Sequence, residues 1–263
     1  MNNEKLITKK EMMHDLRKLG VRNGMTVIVH SSLKSIGRVI GGPVSVILAL
    51  QDTVGTEGNI VMPTQSEQLC DPMEYESGYT EEEIKIIRDH MPIYYPDLTP
   101  TAFMGFIPET FRKQQNVYRS SHPHTSFSAW GKKAKYITDH HNLDFALNEN
   151  SPLGRIYDLN GYILLLGAPT DSNTSLHLAE YRQENTFIGE KIWDVKVEKG
   201  NKEEWTTYKD INNESDDFDK IFTDFRNETN YVVEGSVGEA KSYFIPMKEM
   251  VDFAVKWMNK NRA

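Results

Sequence analysis

The stretch DSNTSLHLAEYR, residues 171–182, sets one histidine and one glutamate three positions apart, directly after the apolar run YILLLG. Three is a helical spacing, so His177 and Glu180 become neighbours on one helix face. A carboxylate that accepts a hydrogen bond from one imidazole nitrogen fixes the tautomer and makes the other nitrogen more basic. A general base needs that arrangement, but an ordinary histidine beside a surface carboxylate has the same spacing, and both readings stand. Asp171 or Asn173 can cap the helix that carries the pair.

A second stretch, HSSLKSIGRVIGGP at residues 30–43, gathers serines and glycines. Ser31, Ser32 and Ser35 offer hydroxyls. Gly37, Gly41 and Gly42 permit close backbone approach. A helix beginning at Pro43 would present unpaired N–H groups suited to a phosphate, and Lys34 and Arg38 could add charge. The spacing is neither that of a Walker loop nor that of the dinucleotide fingerprint, so phosphate binding and a plain Gly/Ser connection are both open.

In RSSHPHTSFSAWG, residues 119–131, Arg119, Ser120, His122 and Ser126 could hold an anionic group. His122 and His124, with His140, His141 and His177, raise a metal reading. Pro123 constrains the first pair, and no HExxH, CxxC or carboxylate-rich motif is present, so no metal is expected. Cys70 has no histidine near it in sequence and reads as a packing residue. The G-x-S-x-G elbow of serine hydrolases is missing. Residues 66–100 form an acidic insertion with Glu67, Asp71, Glu74, Glu76 and Glu81 to Glu83. Most of these read as a solvated face, and one or two, Glu67 among them, are offered to a cationic substrate.

Elements must deliver these groups. MTVIVH reads as a buried strand, PVSVILALQDTVG as a helix and GNIVMP as a second strand, which makes a βαβ unit. The 30–43 stretch and His177 then both stand at strand ends, where open α/β sheets bind ligands. TEEEIKIIRDH reads as a short amphipathic helix inside the insertion. Residues 119–141 read as a loop that becomes a helix. KIWDVKVEKGNKEEWTTYKDI reads as a hairpin beside or extending the sheet, and MKEMVDFAVKWMNKNR as a closing amphipathic helix. The fold class is therefore α/β: a central mixed, largely parallel sheet flanked by helices, with an antiparallel addition in the C-terminal third, all in one domain over residues 1–263.

The formal net charge of −8 disfavours a nucleic-acid partner and suits a cationic small substrate or plain solubility. A single cysteine fits a reducing cytosol. No secretory signal and no apolar run of membrane-spanning length are found, so a cytoplasmic protein without a membrane partner is expected.

Taken together, VHSSLKSIG…GGP, VMPT, RSSHPHTSFSAWG and SPLGRIYDLNGYILLLGA…DSNTSLHLAEYR resemble the aminoglycoside 3-N-acetyltransferase family, in particular its Bacillus-type branch. The resemblance runs in order over roughly residues 10 to 260, and four separated motifs together are specific. It implies a fold distinct from the common acetyl-CoA N-acetyltransferase superfamily. It implies acetyl-CoA as donor and the 3-amino group of a 2-deoxystreptamine aminoglycoside as acceptor. It assigns Ser31, Ser32, Leu33, Ser35, Ile36 and Gly37 to coenzyme A, and puts Arg119, Ser120 and His122 near the cofactor or behind its loop. His177 and Glu180 match the catalytic pair, and Asp171 an acidic position near the acceptor; Asn173 and Glu67 join Asp171 as expected acceptor contacts. His124 departs from the apolar or small polar residue expected after His122-Pro123. The acidic insertion and residues 186–230 follow no family pattern, and these regions should shape acceptor choice. The rival readings are an acetyltransferase for another amine, a metal-dependent hydrolase using His122, His124 and His177, and a non-catalytic coenzyme A binder.

Overall fold

The computed structural model describes residues 5–74, 78–184 and 189–262. In chain order the strands are β1 (Leu6–Ile7), β2 (Thr26–Ser31), β3 (Arg38–Val39), β4 (Asn59–Pro63), β5 (Val117–Arg119), β6 (Phe127–Gly131), β7 (Tyr162–Leu166), β8 (Glu190–Lys199), β9 (Lys202–Ile211), β10 (Val233–Val237) and β11 (Ala240–Pro246). The helices are α1 (Lys9–Leu19), α2 (Leu33–Ile36), α3 (Gly42–Val54), α4 (Glu81–His90), α5 (Phe106–Phe111), α6 (Ala134–Thr138), α7 (Pro152–Asp158), α8 (Leu176–Arg182), α9 (Phe218–Glu228) and α10 (Met247–Asn261).

The main sheet has the order β10-β11-β7-β2-β4-β6-β5. Its three central strands, β7, β2 and β4, run parallel, and every pairing outside them is antiparallel. The expected mixed sheet is present, with its parallel part confined to that centre. The centre is buried on both faces, which is why these strands read as unbroken apolar runs. Alternate residues feed opposite layers. Ile28, Val61, Ile163 and Leu165 pack with Leu176 of α8, Phe218 of α9 and Met250 of α10. Val27, Val29, Ile60 and Leu164 pack on the other side with Leu16 of α1, Leu50 of α3 and Phe111 of α5.

Residues 119–141 depart from expectation. They contain β6, which pairs with β4 from Asn59↔Gly131 to Pro63↔Phe127. Serines at 126 and 128 disguise this strand in the sequence, and both are buried with partners: Ser126 Oγ donates to Thr64 O at 2.8 Å, and Ser128 Oγ lies 3.1 Å from Thr64 Oγ1. The expected antiparallel addition is the β8–β9 hairpin, which stands beside the main sheet as a sheet of its own. It braces the acidic insertion: Trp205 Nε1 donates to Arg88 O at 3.0 Å and Lys196 Nζ to Met91 O at 2.7 Å. Arg88 in turn bridges the buried Asp71 and Asp194. Among the described residues no helix is long and apolar enough to cross a membrane.

Candidate active site

β2 and β7 are parallel neighbours, with His30 opposite Leu165 and Ser31 opposite Leu166. Their carboxyl ends therefore release both candidate segments side by side. Ser32 N–H donates to Leu166 O at 3.0 Å. Gly167 (φ 67°) lets the β7 exit pass close to α2; a Cβ there would stand 2.7 Å from Ser35 Cβ and 2.8 Å from Ala240 Cβ. Ser32 caps α2, its Oγ accepting from Ser35 N–H at 3.3 Å. His30, near the end of β2, ties the second segment down: its Nε2 accepts from Thr174 N–H at 3.1 Å and lies 3.0 Å from Thr174 Oγ1. Burial first, and then the charge of His177, push the His30 pKa down to about 3. The ring is thus neutral, with its proton on Nδ1 because Nε2 accepts. A cavity of about 210 Å³ is lined by His30, Ser31, Ser32 and Thr174 together with Phe103 and Met104.

One helical turn beyond Thr174 stands His177, whose N–H donates to Thr174 O at 3.1 Å. It flanks the cavity rather than lining it. Its Nδ1 is 2.5 Å from Glu180 Oε2, with the Glu180 side chain fully buried and that of His177 19% exposed. The ring packs against Phe218, centroids 4.9 Å apart. Glu180 Oε1 accepts from Glu214 N–H at 3.0 Å and from Arg262 Nη1 at 2.7 Å. A carboxylate held in this way accepts a hydrogen bond from Nδ1–H, which leaves the lone pair on Nε2.

The other anticipated residues are placed unequally. Ser31, Ser32 and Leu33 are half-buried at the turn and Ser35 is exposed, while Ile36 is a core residue and Gly37 packs against Glu239. Arg119 is turned inward; its Nε donates to Ser126 Oγ at 3.0 Å, and it also donates to the carbonyls of Pro96, Thr99 and Thr64. Ser120 Oγ pairs with His141 Nδ1 at 2.9 Å, and His122 Nε2 pairs with Leu143 O at 3.1 Å. This trio therefore ties loops together in the interior. His124 belongs to the same interior: its Nδ1 lies 2.8 Å from Tyr208 OH, which docks the hairpin on the core. Asp171 is exposed on the 3-10 turn Thr170–Ser172. Asn173 is fully buried, and its Oδ1 accepts from Ser175 N–H at 3.2 Å. Glu67 sits on the turn Glu67–Leu69 just after β4, and burial pushes its carboxyl pKa up. Glu83 closes a capping box with Thr80, and Glu76 lies outside the described residues.

The family model for aminoglycoside 3-N-acetyltransferase matches residues 28–259. The chain belongs to the aminoglycoside 3-N-acetyltransferase family. It is an acetyltransferase of that family, like its relatives. It is 46% identical over 256 residues to the SPbeta prophage-derived aminoglycoside N(3')-acetyltransferase-like protein YokD of Bacillus subtilis, covering 97% of this chain and 93% of that one. The crystal structure of YokD superposes with a TM-score of 0.94, covering 98% of this chain and 95% of that one. Aminoglycoside N(3)-acetyltransferase VII of Streptomyces paromomycinus is 32% identical, covering 97% and 92% of the two chains. The structure of AAC-IIIb in binary complex with CoASH, 29% identical, gives a TM-score of 0.87 with 97% of each chain covered.

Within this acetyltransferase, sequence reasoning passed over Thr174 and Arg262 and gave His30 no role of its own. A histidine at the carboxyl end of a buried strand was a usable signal for His30. Arg262 carries no local signal, because it lies 82 residues from the glutamate it contacts.

Proposed function

We propose that the chain transfers the acetyl group of acetyl-CoA to the 3-amino group of a 2-deoxystreptamine aminoglycoside, with His177 as general base. The chain works as one catalytic unit over residues 1–263, in the cytoplasm. Coenzyme A lies against the turn of Ser31, Ser32, Leu33 and Ser35, with the thioester in the cavity beneath Phe103 and Met104. The acceptor approaches the exposed side of His177. Its amines are largely protonated at neutral pH and cannot attack in that form, so a proton must leave as the C–N bond forms. His177 Nε2 takes that proton, and Glu180 holds the imidazolium that results. A hydroxyl or backbone N–H of residues 31–35 steadies the oxyanion. The C–S bond then breaks and coenzyme A leaves as a thiolate, reprotonated by His177. Transfer is direct, with both substrates bound together. The acidic side chains of Asp171 and Glu67 give a polycation its attraction.

One observation carries this reading: an imidazole 2.5 Å from a buried carboxylate, beside a cavity bounded by the Ser31-Ser32 turn. The test is a thiol-release assay with acetyl-CoA, several aminoglycosides and simple amines, followed by locating the new amide on the product. His177→Ala should lower kcat by roughly two to four orders of magnitude, the usual scale for losing a general base, and leave acetyl-CoA binding nearly unchanged. A variant close to full activity refutes the role. Acetylation of simple amines alone would point to a different acceptor.

A further inference from the structure

We propose that Arg262 is a positioning residue that sets the working charge of the His177–Glu180 pair. The proposal rests on the general-base reading above. Arg262 follows α10, outside the stretch matched by the family model. Its side chain is 11% exposed. Nη1 donates to Glu180 Oε1 at 2.7 Å, Nε donates to Asp217 Oδ2 at 2.7 Å, and Nη2 reaches Asp217 Oδ1 at 2.5 Å and Glu214 O at 2.9 Å. The forked guanidinium is thus held in one orientation by Asp217 and the 214 carbonyl while its remaining arm meets the catalytic carboxylate. α8, the segment before α9 and the end of α10 are pinned at one point.

The chemical consequence follows from charge. Glu180 is fully buried, and an uncompensated buried carboxylate is costly. It meets the His177 ring on one side and the Arg262 guanidinium, a countercharge, on the other. The hydrogen bond joins His177 and Glu180 into one unit for the proton taken from the substrate. In the working form the unit is anionic, with its proton on Nδ1; after proton uptake it is neutral. A cation beside it favours the anionic form and keeps Nε2 free at lower pH. The other groups facing the pair are His30 from β2, which stays neutral, and Asp210 from β9, whose carboxylate also interacts with His177. Asp217, on the far side of Arg262, opposes the cation.

This makes paired predictions of opposite sign. In Arg262→Gln the acid limb of the kcat/KM profile should move up by about one pH unit, the scale of losing a close charge. Activity below the limb then falls about tenfold more than at the plateau. Arg262→Lys keeps the charge and should restore the limb, with a lower kcat from the lost fork. Asp217→Asn should move the limb down. KM for acetyl-CoA should hold in all three. Folding of Arg262→Gln is checked by circular dichroism; if it does not fold, Asp217→Asn decides, with its limb below that of wild type while Arg262→Lys stays at wild type. Profiles of Arg262→Gln and Asp217→Asn whose acid limbs overlay wild type overturn the proposal, as does an equal shift in Arg262→Gln and Arg262→Lys. His177→Ala is run alongside: if it remains active, the general-base reading fails; if it is inactive while the limbs stay put, only the role of Arg262 fails.

Discussion

At the scale of single residues, the site is a histidine whose two nitrogens are made different by their surroundings. Glu180 achieves this with both oxygens occupied, one by His177 and the other by Glu214 N–H and Arg262. Glu180→Gln keeps the shape and removes the charge, so it should lower kcat by roughly two to four orders of magnitude, comparable to other tautomer-holding carboxylates. Binding of acetyl-CoA, read by calorimetry, should hold; a kcat within a few-fold of wild type would contradict the role. The pair was legible in the sequence because its members are three apart and helical geometry does the rest. The residues that complete it were not, because Arg262 and His30 reach the 171–182 stretch only through tertiary packing. Arg119, Ser120 and His122 show the converse. Their polar types suggested an anion site, yet in the fold Arg119 turns to Ser126 and to carbonyls, Ser120 to His141 and His122 to Leu143 O, and sequence alone does not reveal which way a side chain faces.

At the scale of elements, the site exists because two parallel strands end together and their exits touch. Gly167 is where they touch, at a positive φ and with no room for a Cβ beside Ser35 and Ala240. Gly167→Ala should therefore push α2 away from the β7 exit. We expect a loss of about 1–3 kcal/mol in denaturant unfolding, the usual cost of overpacking and backbone strain, and weaker coenzyme A binding; unchanged stability would show that the contact relaxes freely. The strands β2, β4 and β7 were readable as unbroken apolar runs because both of their faces are buried, α3 from the proline at its start, and α10 from its amphipathic pattern. The strand β6 was not, because its serines are satisfied by Thr64, a residue distant in sequence. The hairpin was readable as a hairpin, but its separation from the main sheet depends on α4 and on Tyr208 meeting His124.

At the scale of the whole molecule, four histidines are held neutral in the interior. Burial is the first cause at each: it pushes His30 to about 3, His124 and His141 to about 4, and His122 well below its ordinary 6.5. The unfolded chain takes up these protons below pH 6.5 and the native state does not. The resulting stability is fully present above pH 6.5 and drains away as pH falls through about 4. Each such histidine contributes a slope of up to about 1.4 kcal/mol per pH unit. Tm should accordingly fall steeply between pH 7 and pH 5, and His124→Gln should flatten that slope. A Tm independent of pH over this range would contradict the buried, neutral assignment.

The central claim is that one imidazole, aligned by a carboxylate, takes the proton from the attacking amine. The most direct measurement is a crystal structure of the enzyme with coenzyme A and an unreactive aminoglycoside bound together. The account predicts His177 Nε2 within about 2.6–3.2 Å of the 3-amino nitrogen, with Nδ1 still on Glu180. An acceptor amine that sits beyond the reach of that ring, or a ring whose Nε2 faces the interior, would contradict it.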